Sequence, residues 1–295
     1  MFVVSNTKKP TMKKIFRIFI IGILSLFIIS CKSKKTIFNS KPKLITESKL
    51  YTDSIYSEYL SEYRKHNIYL PKNFNKNKRY PIIYATDGSE INGEGFFFKE
   101  SLKALDSLIN NNAINPVIFI ASYSNKKIIS KEDFIGLRNY EYGYVKPTRI
   151  EDSLFVDRFK KHIFYFKDEL ITKIERQFNQ NLNKEDRYFY GSSAGAGFGI
   201  SLLKAYPNKI GTFLCFSAYG GDIKSSAWKV GARYPKLYFQ YGSEEPYLKE
   251  DADFLKSKYK ELNIYSEIKE FEGGHDYKIW DKEFIKTITE LLKTE

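Results

Sequence analysis

An α/β protein, with a mostly parallel central sheet covered by helices on both faces, is what this sequence predicts. Three observations lead there. Short apolar runs without polar alternation recur along the chain, as strands buried on both faces require. Between them lie stretches with apolar residues every three or four positions, the helical period. No internal repeat and no Pro/Gly/Ser-rich linker interrupts residues 50–295, so a single domain accounts for them.

In order, the predicted strands and helices run as follows. Residues 68–70 form a first strand, and 80–85 a second that stops at Asp87-Gly88. Residues 116–121 form a third, ending at Ser122. A long helix follows, with Phe155, Phe159, Ile163, Phe166, Leu170, Ile174 and Phe178 on one face. Strand 187–190 leads through a glycine-rich turn into a helix reaching Tyr206, and 212–217 is strand again. Strand 236–241 precedes a helix with Leu255, Tyr259 and Leu262 on one face, and residues 264–271 complete the sheet. Phe284, Ile285, Ile288, Leu291 and Leu292 mark an amphipathic terminal helix. In such sheets the reactive groups gather at the carboxyl ends of the strands.

Composition narrows the function. The 295 residues are 42% hydrophobic and 17% aromatic, which excludes disorder for the bulk of the chain. Formal charge is +13, yet residues 1–30 and 31–49 carry +5 each and the remaining 246 only +3. With no basic stripe inside the domain, nucleic acid is not an expected partner. Lys13, Lys14 and Arg17 precede the apolar run 18–29, too short to span a bilayer, which ends at Ser30-Cys31. That is the form of an export leader, with Met12 an alternative start. Cys31 stands where the lipobox of bacterial lipoproteins has its cysteine; the bland alternative is an uncleaved membrane anchor. The expected organisation is a leader over 1–31 ending at lipidated Cys31, a polar tether over 32–55, and the folded domain over 56–295. Such a chain is exported and membrane-anchored, in the periplasm or on the cell surface. Cys215, the sole cysteine of the domain, sits in an apolar run and reads as core.

Four loops carry the chemistry. Gly191-Ser192-Ser193-Ala194-Gly195 is G-x-S-x-G between a strand and a helix, a sharp turn that exposes a serine hydroxyl. Ser193 is the candidate nucleophile, and the Ala194 N–H a candidate oxyanion donor beside a helix N-terminus. His275, in a Gly-Gly loop after the last strand, is the candidate general base; His66 and His162 lie in a predicted strand and helix before the serine. The acid follows strand 236–241, where Glu244, Glu245, Asp251 and Asp253 all qualify. The loop after strand 80–85, Thr86-Asp87-Gly88-Ser89, offers the Ser89 N–H as second oxyanion donor. Paired His/Cys ligand spacings are absent, so no metal site is expected.

From Tyr63 to the C-terminus the chain resembles the putative esterase family of α/β-hydrolases, which includes enterochelin esterases, esterase D and feruloyl esterases. The residues that carry the resemblance are Tyr69-Leu70-Pro71, Arg79 to Tyr84 with Asp87-Gly88, and Arg187 to Gly195. Ala205-Tyr206-Pro207, Phe216-Ser217, Gly242-x-x-Glu245 and Gly274-His275-x-Tyr-x-x-Trp280 add to it. The resemblance implies the α/β-hydrolase fold and a serine esterase working through an acyl-enzyme without metal or organic cofactor. It favours Glu245 as the acid, three residues after the glycine. Arg138-Asn139-Tyr140-Glu141-Tyr142 is similar to the R-x-x-E-Y segment of siderophore-esterase-like members, which makes Arg138 a substrate-binding candidate. Asp87, where polysaccharide esterases often carry His, points the same way. Expected substrates are small-molecule esters such as siderophore lactones, or acylated and feruloylated glycans; acyl transfer to another acceptor also occurs in the wider family. A tethered binding protein without turnover is the reading from another class, and retention of both Ser193 and His275 argues against it.

Overall fold

The computed structural model describes residues 47–89, 98–130, 135–143, 150–224, 228–229 and 231–294. The leader, Cys31 and residues 32–46 lie outside the described residues. An eight-stranded sheet runs in the order β1 (Lys49–Ser57), β2 (Glu62–Leu70), β4 (Ile118–Ser122), β3 (Ile82–Ala85), β7 (Arg187–Ser192), β8 (Thr212–Phe216), β9 (Lys236–Gly242) and β10 (Ser266–Phe271). β2 pairs antiparallel with β1 and with β4, and every later pair is parallel. The parallel strands follow the apolar runs, and the two-residue side-chain period distributes them between two cores. Ile82, Tyr84, Phe189, Phe213, Cys215, Leu237 and Phe239 face one core. Ile83, Ala85, Tyr190, Leu214, Phe216 and Tyr238 face the other.

Helices cover each core. On the first side pack α3 (Ile150–Phe164), a π-helical segment Tyr165–Leu170, α4 (Ile171–Gln177), α5 (Ala194–Ala205) and α6 (Lys249–Glu261). On the second pack α1 (Lys99–Asn110) and α7 (Tyr277–Leu291). The single helical pattern expected from residues 155–178 is thus realised as two α-helices joined through π-helical hydrogen bonding. A two-stranded sheet of β5 (Ile128–Ser130) and β6 (Ile135–Gly136) precedes the short helix α2 (Leu137–Tyr142). Among the described residues, no helix is long and apolar enough to cross a membrane.

The sheet starts earlier than the sequence suggests. β1 takes in residues 49–55, which were expected to belong to the tether. Its ladder with β2 is unbroken from Lys49↔Leu70 to Ser57↔Glu62. Only Ile55 and Ser57 of this edge strand are buried, so backbone pairing rather than apolar burial places it.

One buried ionic cluster fastens α2 to the sheet. Glu141 is fully buried and accepts from Arg64 at 2.7 and 2.9 Å, from Arg158 at 2.6 and 3.1 Å, and from the Asn125 N–H at 3.0 Å. Burial pulls its pKa up, but His162, Arg64 and Arg158 bring it down to about 2. Arginine can only donate, so an amide at this position must oppose a guanidinium N–H. Glu141→Gln should therefore destabilise the fold by about 3–5 kcal/mol, read from urea denaturation at neutral pH. Because the folded pKa is depressed, this stabilisation is present above about 4.3 and fades as pH falls toward 2. Between those limits the urea midpoint of the wild type should fall more steeply than that of the variant.

Candidate active site

At the end of β7 the chain reverses into α5 through Ser193, whose backbone lies at φ +53 and ψ −129. A non-glycine residue in that region costs on the order of 1–3 kcal/mol unless its surroundings impose it. Here they do. The Ser193 N–H donates to the Phe216 carbonyl at 2.9 Å, and its carbonyl accepts from the Gly197 and Tyr219 N–H groups at 3.1 Å each. Gly195 is required by contact, since a Cβ there would lie 2.2 Å from Thr86 Oγ1. Ala194 opens α5 and so carries one of the leading amides that a helix leaves without internal partner.

The parallel strand order β7, β8, β9, β10 then delivers three further residues along the same edge of the sheet. His275, in the loop between β10 and α7, places Nε2 2.9 Å from Ser193 Oγ. Its Nδ1 lies 2.7 Å from Glu245 Oε1. An ionised carboxylate only accepts, so Nδ1 carries the proton and Nε2 is left to accept from the serine hydroxyl. Glu245, three residues beyond the end of β9, is fully buried. Its Oε1 also accepts from the Tyr247 hydroxyl at 3.1 Å, and its Oε2 from Ser217 Oγ at 2.5 Å and the Gly242 N–H at 2.8 Å. Burial acts to raise the Glu245 pKa, but the hydrogen bonds from Ser217, His275 and Gly242 hold it below the ordinary carboxylate value. The other acids of this region lie elsewhere: Asp251 is 3.5 Å from Lys224 and Asp253 is 3.3 Å from Lys249. The Glu244 N–H donates to Gly273, while its carboxylate borders Gly274. His66 and His162 are both buried, in β2 and α3.

The loop after β3 approaches the elbow through Asp87. A Cβ on Gly195 would sit 3.1 Å from Asp87 Oδ2. Gly88 donates its N–H to Ser122 and accepts from Asn67 Nδ2, and a side chain there would meet the Ala121 carbonyl at 2.1 Å. Ser89 is nearly buried and borders a groove of about 670 Å³ with Tyr63, Lys65, Tyr123 and Ser124. Among the described residues no hydrogen bond joins Ser89 to Ser193, His275 or Glu245. Arg138 grips Asp87 with two parallel bonds, Nε to Oδ1 at 2.7 Å and Nη2 to Oδ2 at 2.9 Å. Its guanidinium lies over the Tyr142 ring, 5.0 Å from the centroid, and the Tyr142 hydroxyl accepts from the Asp87 N–H at 3.2 Å. Burial acts against its charge, but Asp87 raises the Arg138 pKa above its ordinary value.

The five-residue segment singled out in the sequence thus has a physical reading. Arg138 and Tyr142 hold Asp87, and Glu141 anchors the helix that carries them. Three neighbours of the serine–histidine–carboxylate chain went unassigned by sequence reasoning: Ser217, Tyr247, and the Trp280 ring standing edge-on to His275 at 4.7 Å and 87°. The available signal for Ser217 was its place at the carboxyl end of the strand beside β7.

A family model described as "Putative esterase" matches residues 57–291. No curated protein matches the sequence. Among solved structures, a ferulic acid esterase is 18% identical with a TM-score of 0.63, covering 84% of this chain and 98% of its own. An S-formylglutathione hydrolase from Agrobacterium tumefaciens is 13% identical, with a TM-score of 0.59 over 84% of this chain and 96% of its own. The enterobactin esterase FES from Shigella flexneri is 15% identical, with a TM-score of 0.60 over 82% of this chain and 59% of its own. At these identities the likeness is one of fold. The family match spans the described domain apart from residues 47–56 and 292–294, and with it the chain belongs to the putative esterase family, an esterase enzyme of the α/β-hydrolase fold.

Proposed function

We propose that Ser193, His275 and Glu245 form a catalytic triad that hydrolyses a carboxylic ester through an acyl-enzyme. The observation that carries this reading is the hydrogen-bonded path from Ser193 Oγ through the imidazole to the buried carboxylate. His275 Nε2 takes the serine proton as Oγ attacks the ester carbonyl, and the same proton then leaves with the alcohol. Water, deprotonated by His275, attacks the acyl-serine, and the acid departs as Oγ regains its proton. The Ala194 and Ser89 N–H groups are the proposed donors to the tetrahedral oxyanion, each worth about 3–4 kcal/mol of transition-state stabilisation in comparable sites.

Siderophore lactones are the proposed substrate class. Support comes from the Arg138-Asn139-Tyr140-Glu141-Tyr142 segment and from Asp87, which the structure joins into one unit beside the elbow. Arg138 is committed to Asp87 on two nitrogens, so any contact with substrate would use the remaining exposed edge of the guanidinium. The export leader and the lipid anchor at Cys31 remain part of the proposal on sequence grounds, and would hold the enzyme at a membrane surface.

A fluorophosphonate probe should label the wild-type protein at Ser193 and leave Ser193→Ala unlabelled; equal labelling of both removes the nucleophile assignment. Rates on a triscatecholate lactone, a feruloyl sugar and short acyl esters then rank the substrate classes. Glu245→Gln gives a sharper test of the acid. The Gly242 N–H can only donate, so the amide oxygen must face it and the NH₂ must face His275. That arrangement selects the imidazole tautomer with its proton on Nε2, which cannot accept from Ser193. Stability should stay within about 1 kcal/mol while kcat falls about 10³- to 10⁴-fold on a short acyl ester. Retained activity would exclude Glu245 as the acid. Growth with labelled fatty acid should give a lipidated wild type and an unlipidated Cys31→Ser; identical incorporation in both removes the anchor.

A further inference from the structure

Ser217, the first residue after β8, has a left-handed backbone, φ +46, although it is a serine and fully buried. Its N–H donates to Gln240 at 2.7 Å, which locks the residue to β9. A strained, buried hydroxyl at the edge of a reactive site calls for a reason. The hydroxyl sits between two groups whose chemistry fixes its direction. The Trp280 indole N–H lies 2.9 Å from Ser217 Oγ and can only donate. The Glu245 carboxylate, 2.5 Å away on the other side, can only accept. Ser217 must therefore accept from Trp280 and point its own proton at Glu245 Oε2. The Trp280 ring also stands edge-on to His275 at 4.7 Å. Helix α7, strand β8 and the loop after β9 are in this way closed into one circuit around the acid and the base.

We propose that Ser217, oriented by the Trp280 indole N–H, is a positioning residue that holds the Glu245 carboxylate in the plane and direction needed by His275. This deepens the triad reading and rests on it. Glu245 has two further donors on the oxygens that Ser217 and His275 use, Gly242 and Tyr247. Gly242 is backbone and cannot follow a rotating carboxylate, and Tyr247 is 61% exposed, open to competition from solvent. Ser217 is the one buried side-chain donor on Oε2 among the described residues, and it answers to Trp280 rather than to solvent.

The test needs one substrate, p-nitrophenyl acetate, and one reading that needs none. In Ser217→Ala, kcat should fall about 10- to 100-fold with KM within about 2-fold, the loss expected for one hydrogen bond to a charged group. The proton NMR resonance of His275 Nδ1–H should move, because the carboxylate it meets has lost its orientation. Trp280→Phe keeps an aromatic ring against His275 while removing the indole N–H and part of the ring volume, and Ser217 keeps its own bond to Glu245, so the loss should be smaller, about 3- to 10-fold. The double variant should be no slower than Ser217→Ala alone, since both changes act on the same carboxylate. Thermal melts identify a variant that does not fold; Trp280→Phe and its Nδ1–H resonance then decide the matter. A folded Ser217→Ala with unchanged kcat and an unmoved resonance overturns the proposal, as do fully additive losses. Fluorophosphonate labelling of the wild type separates the two levels: if Ser193 is not labelled, the triad reading fails and this proposal fails with it. If Ser193 is labelled at equal rates in wild type and both variants, only the positioning role fails.

Discussion

A serine held at φ +53 between a buried strand and the first turn of a helix is the constraint on which the rest of the site depends. Its amide is tied to β8 and its carbonyl to α5 and to the chain after β8, so its hydroxyl is placed relative to the sheet rather than to a loop. Strain of this kind persists only where the surroundings over-determine it. The parallel order of β7 to β10 then has a chemical consequence. Each successive strand ends at the same edge, and each contributes one residue: Ser193, Ser217, Glu245 and His275 in spatial as well as chain order.

Two buried carboxylates, Glu141 and Glu245, show how differently the fold treats negative charge. Glu141 meets two guanidinium groups and is neutralised where it stands. It serves as an anchor, fixing α2 and through it the Arg138–Asp87 pair and Tyr142. Glu245 meets a hydroxyl, a phenol, a backbone amide and an imidazole, with no permanent cation among them. Its charge therefore stays available for the imidazolium that forms when His275 takes a proton. The hydrogen bonds keep it ionised without spending that charge. Replacing either with its amide changes different properties, fold stability in the first case and the imidazole tautomer in the second.

Much of this was legible along the chain. Residues 187–195 announce a strand, a tight turn and a helix because each step is local and each leaves a compositional trace. The same holds for the apolar strands, whose burial on both faces removes polar alternation. β1 was missed for the opposite reason: its side chains are mostly exposed, and its position follows from backbone pairing with β2, which leaves no periodic signature. Glu245 could be narrowed only to a group of four acids from composition, since its selection depends on the approach of β9 and β10. The partnerships of Asp87 with Arg138 and of Ser217 with Trp280 join residues 51 and 63 positions apart, where neither partner marks the other in the sequence. Side chains that act in pairs across the fold become readable only when the sheet order is known.

The account turns on a covalent intermediate at Ser193, and the most direct measurement is the mass of that intermediate. Mixing the protein with a p-nitrophenyl ester, quenching in acid within the first turnover and digesting with trypsin isolates residues 188–204. The account predicts that this peptide gains one acyl group, located at Ser193, in step with the first equivalent of nitrophenol released. Nitrophenol release with peptide 188–204 unmodified, or with the acyl group on another residue, would contradict it.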